Sequence, residues 1–121
     1  MNNQNEIVKR LRFENWIWIV YIIISLVTIL GDELIIKSIQ ENNNKYNEDA
    51  IKLFKSTLVI TIIIYIYFLV RNYSDYINSD KDNKQAYGVR LLGSILMFIG
   101  TLCLFYFLNE TSSVDDSVSN I

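Results

Sequence analysis

Apolar residues in this chain are collected into blocks rather than alternating with polar ones. Residues 16–30 contain no charge, and the run resumes at 34–36 beyond Asp32 and Glu33. A second block covers 56–70, and a third covers 89–108 with Arg90 at its edge. Uninterrupted runs of this kind predict transmembrane helices. A 15-residue core, the length of the first two blocks, covers only roughly 22 Å of a ~30 Å hydrocarbon layer. Flanking turns must therefore complete both spans, with Lys52 and Lys55 snorkelling at the start of the second. The pattern predicts an all-α integral membrane protein with three transmembrane helices, at about 14–36, 51–72 and 88–108.

Short interfacial helical extensions flank these spans. Asn5 is placed to cap a helix beginning at Glu6, whose apolar side carries Ile7, Val8 and Leu11. Residues 37–49, with Asn42, Asn43 and Asn44 at their centre, are expected to form a loop. Tyr73, Tyr76 and Ile77 carry the second helix past the membrane before a break near 78–83. The domain organisation is a single three-span membrane domain over 1–108, followed by a flexible acidic tail over 109–121.

Composition reinforces the membrane reading. The hydrophobic share is 51%, and the remaining residues, mostly Asn, Lys, Asp and Ser, cannot cover three helices that are apolar all round. Cleavage of the first block as a signal peptide is not expected, because no small-x-small site follows Leu30. Histidine is absent and Cys103 stands alone. Disulfides, Cys/His zinc sites, histidine-ligated haem and His-dependent catalysis are thereby excluded. No catalytic, cofactor-binding or metal-binding residue is assigned. No basic patch with interleaved aromatics suggests nucleic acid.

Orientation follows the Lys/Arg bias. Lys9, Arg10, Arg12, Arg71, Lys81, Lys84 and Arg90 fall on one side, against Lys37, Lys45, Lys52 and Lys55 on the other. Seven against four places the N-terminus in the cytoplasm and the C-terminus opposite, in a cell (plasma) membrane.

Three polar groupings are candidates for function. The first is a helix-packing seam of small and hydroxyl-bearing residues: Ser25 and Thr28, Thr57 and Thr61, and Gly93, Ser94, Gly100 and Thr101. Tyr21, Ser25, Thr28 and Asp32 recur at steps of four, three and four, which is one helical face. The second is the set Glu14, Arg71 and Arg90, which alternating spans bring to similar depth, so that Glu14 can pair with either arginine. The third is an intramembrane polar pair. Asp32 continues the face of Tyr21 and is expected to meet Lys55, while Glu33 turns toward water.

Nothing organises these residues for catalysis, so no enzymatic activity is expected. The expected role is a small multi-pass accessory, regulatory or immunity-type subunit that docks on a partner membrane protein. The alternative is a self-assembling pore or small transporter or channel module lined by the hydroxyl-bearing faces. Expected partners are membrane lipids and either another membrane protein or further copies of this chain.

Overall fold

A computed structural model describes residues 2–111. Over this range the chain forms three α-helices: α1 (Asn2–Glu41), α2 (Asn44–Asn78) and α3 (Lys84–Glu110). Each is long and apolar enough to cross a membrane. With 40 residues, α1 extends about 60 Å, so it projects well beyond a hydrocarbon layer. The flexible acidic tail expected over 109–121 begins too early, since Asn109 and Glu110 still belong to α3; its remainder beyond Thr111 lies outside the described residues.

Two expected boundaries change. Asn5 does not cap α1, because the helix is already under way at Asn2. No proline occurs, and the first glycine is Gly31, so no breaker halts the helix between them. The expected loop over 37–49 shrinks to Asn42 and Asn43. Asn42 takes φ 53°, the left-handed conformation that asparagine tolerates at a helix end. The Asn43 amide then donates to the Ser38 carbonyl at 3.1 Å, the six-to-one bond that closes such an end. The Asn43 side chain accepts from the Lys45 amide at 3.0 Å and opens α2. Adjacent asparagines thus stop one helix and start the next.

The second break falls where the sequence places it, between Asn78 and Lys84. Ser79 Oγ donates to the Tyr76 carbonyl at 2.7 Å. The Asn83 amide donates to Asp80 Oδ1 at 3.0 Å. These side chains satisfy backbone groups that the helix ends leave open.

Buried and half-buried positions of each helix recur at alternating steps of three and four. On α1 they include Glu14, Ile17, Tyr21, Ile24, Thr28, Gly31, Ile35 and Ser38. On α2 the row runs through Asn47, Ala50, Phe54, Thr57, Thr61, Ile64, Phe68 and Arg71. On α3 it runs through Leu91, Ser94, Phe98, Thr101, Phe105 and Leu108. A seven-residue repeat keeps one stripe facing a neighbour along a gently supercoiled helix pair. The central helix, α2, packs against both α1 and α3, which scarcely meet each other. Large apolar side chains such as Ile22, Ile63 and Leu96 point outward. Only 6–11% of each apolar window is buried, so this surface requires an apolar surrounding.

Candidate functional site

Five charged side chains meet at the end of the bundle where α1 starts, α2 ends and α3 starts. Glu14 is only 6% exposed, and an unpaired carboxylate there would be costly. Its Oε2 accepts from Arg71 Nη1 at 2.7 Å and from the Tyr67 hydroxyl at 3.2 Å. Arg10, one helical turn before Glu14, lies 3.8 Å from the same oxygen. Arg10 Nη1 also donates to Asp75 Oδ1 at 3.1 Å. Asp75 Oδ2 in turn accepts from Arg90 Nη2 at 2.5 Å. Asp75 therefore ties α1 to α3 through α2, at an end where α1 and α3 otherwise scarcely touch.

Of the expected charged set, the structure brings Glu14 and Arg71 together and directs Arg90 to Asp75 instead. Arg10, Tyr67 and Asp75 complete the cluster and were not singled out in the sequence. A usable signal was present in two acid–base pairs at i,i+4, Arg10/Glu14 and Arg71/Asp75, on successive antiparallel helices. The arginine planes also rest on aromatic rings. Arg71 lies 5.0 Å from the Phe68 centroid and Arg90 4.9 Å from that of Tyr87.

The packing seam divides by residue. Thr28, Thr57, Thr61, Ser94 and Thr101 lie on the inward rows. Ser25 is exposed, and the neighbouring Ile24 takes the inward position. Gly93 and Gly100 miss the contact as well: a Cβ at either would meet nothing within 4 Å. Every seam hydroxyl is spent on its own helix. Ser25 donates to the Tyr21 carbonyl at 2.9 Å, Thr28 to Ile24 at 2.9 Å and Thr57 to Phe54 at 2.8 Å. Thr61 donates to Thr57 at 2.8 Å, Ser94 to Arg90 at 3.2 Å and Thr101 to Met97 at 2.9 Å. A hydroxyl satisfied this way faces a neighbour or lipid at little cost.

The structure does not bring Asp32 to Lys55. Among the described residues the ion pairs all belong to the Glu14 cluster, and Asp32 is exposed. Gly31 takes the inward position instead. A Cβ on Gly31 would lie 2.5 Å from Cε1 of Phe54, so only a residue without a side chain admits the ring. Successive residues point about 100° apart, and Gly31 facing α2 turns Asp32 away. Glu33 borders a smaller cleft beside Lys37 and Leu53.

On the open side of α2, between α1 and α3, lies a cleft of about 680 Å³. Arg71, Asn72, Arg90 and Ser94 line its charged end. Compared with known protein families, curated proteins and solved structures, the chain matches none.

Proposed function

We propose that this chain is a non-enzymatic membrane subunit that docks its spans on a partner membrane protein, in an accessory, regulatory or immunity-type role. The reading rests on the empty space beside Gly100, where nothing lies within 4 Å of a Cβ position. Small residues allow helix backbones to approach closely, and no helix of this chain uses that opportunity. A partner helix does. The self-satisfied hydroxyls give no support to a water-filled pore, whose lining would offer them to solvent. The membrane is the cell membrane, with the N-terminus cytoplasmic and the C-terminus opposite, following the seven-to-four Lys/Arg bias.

Site-specific photo-crosslinking in native membranes tests this role. A crosslinker at Gly100 is expected to capture one reproducible, larger heterologous protein. The same group at Leu102, about 200° around α3, captures lipid instead. A ladder of homo-oligomers from Gly100 would replace the accessory role with self-assembly.

A further inference from the structure

The cleft between α1 and α3 contains an unmet hydrogen-bonding demand. Asn72 is 4% exposed and lines the cleft. Its Nδ2 donates to Ser94 Oγ, yet its Oδ1 has no partner, and neither does Nε of the adjacent Arg71. Buried polar atoms of this kind are costly unless something satisfies them. Deeper in, the walls are Trp18, Tyr21, Tyr65, Phe68 and Met97, with Gly93 leaving one side open. An occupant must therefore be apolar along most of its length. At the charged end it must offer both acceptors and a donor.

Charge narrows the choice. Arg10, Arg71 and Arg90 face only Glu14 and Asp75 in the cluster, which leaves one formal positive charge beside the cleft. Arg71 and Arg90 spend an Nη group each on a carboxylate and keep further N–H donors. Guanidinium donors suit phosphate oxygens.

We propose that the cleft holds one anionic glycerophospholipid. Its phosphate lies at Arg71 and Arg90, a headgroup hydroxyl donates toward Asn72 Oδ1, and an acyl chain runs past Phe68 toward Tyr65 and Met97. From Arg71 to Tyr65 is six residues, about 9 Å along α2, enough to seat the upper part of a chain. The cleft volume of about 680 Å³ falls within the roughly 300–1,000 Å³ common for ligand sites. The cleft opens on the same face of α3 as Gly100, seven residues beyond Gly93, so lipid binding is tested on the isolated chain, where no partner helix competes for that face.

Native mass spectrometry of the full chain in a non-ionic detergent tests the proposal. The probes are dioleoyl phosphatidylglycerol, dioleoyl phosphatidylcholine and glycerol 3-phosphate. One phosphatidylglycerol is expected to be retained, with about a tenfold preference over phosphatidylcholine, the effect of one charge-assisted contact. Gly93→Leu fills the cleft without touching an ion pair and should weaken retention about tenfold while leaving helicity unchanged. Asn72→Leu should weaken it independently, and Arg90→Gln should bring phosphatidylglycerol down to the phosphatidylcholine level. Equal retention of the two lipids, or of neither, overturns the site. So does unaltered retention in both the Gly93 and Asn72 variants. Competition by glycerol 3-phosphate at the lipid's own concentration would reduce it to a bare anion site.

Discussion

Glu14 carries the largest single electrostatic risk in the molecule, being a carboxylate 6% exposed on an apolar helix. Its stability depends on Arg71 and Tyr67, which reach it from the next helix. Removing one partner of such a pair strands the other charge, whereas replacing both with apolar groups is often neutral. Arg71→Ala is therefore expected to destabilise the chain, by less than the roughly 3–5 kcal/mol of a wholly stranded charge, because Tyr67 and Arg10 still face Glu14. The double variant Glu14→Leu/Arg71→Leu should recover most of that loss. Unfolding of both proteins in detergent measures the difference, and a double variant as weak as the single one refutes the pairing. Glu14, Arg71 and Arg90 were legible in the sequence because each is a charge at the margin of an apolar block. Arg10 and Asp75 were not singled out, because Asp75 finds its partners on two other helices, Arg10 on α1 and Arg90 on α3, and the sequence does not say which helices meet. Asp32 was legible as an anomaly but not as an outward-facing one. Its orientation is set by Gly31 against Phe54, a fit that depends on where two helices cross.

At the scale of the helices, the inward rows explain which residues of the expected seam hold and which do not. Tyr21 and Thr28 lie on the α1 row, while Ser25 and Asp32 are each one position off it. A face drawn through Tyr21, Ser25, Thr28 and Asp32 leaves this row at Ser25 and Asp32, because a polar side chain need not face a neighbouring helix. Ser25 bonds its own helix at the Tyr21 carbonyl and so faces outward at little cost. The aliphatic positions Ile17, Ile24 and Ile35 carry the repeat, but inside a uniformly apolar span they look like any lipid-facing neighbour. Glycine is equally ambiguous from sequence. Gly31 admits a ring into its helix surface, while Gly93 and Gly100 face open space. The contrast yields a pair of opposed outcomes. Gly31→Leu should separate α1 from α2 and cost at least the roughly 1–3 kcal/mol typical of overpacking. Gly100→Leu should leave the isolated chain as stable as the parent and weaken only its complex with a partner. Thermal unfolding of the purified variants decides the first half, and co-purification decides the second. If Gly100→Leu destabilises the chain itself, the open face does not exist.

For the molecule as a whole, the three apolar blocks sufficed to predict three spanning helices, because burying backbone in lipid leaves few other solutions. Sequence did not reveal that α2 is central or that α1 and α3 stand apart, since all three helices are apolar on every side. The arrangement gathers Arg10, Arg71 and Arg90 at one end of the bundle, where two carboxylates bind them together. That end also receives Lys9 and Arg12 from the α1 start, Lys81 from the α2–α3 connection and Lys84 from the first position of α3. Translocating it would carry seven basic groups across the bilayer, against four at the opposite end, so the seven-charge end is expected to stay cytoplasmic. Three spans are then expected to put the two termini on opposite faces. Asn3→Cys and Ser113→Cys, each in a Cys103→Ser background, should react with a membrane-impermeant maleimide from opposite sides, Ser113→Cys from outside intact cells. Ser113 lies outside the described residues, so its labelling reports the side on which α3 emerges rather than any local fold. Labelling of both positions from one face would rule out three spans. Labelling of Asn3→Cys alone from outside would keep the three spans and reverse their direction, showing that the charge bias is too small to orient the chain.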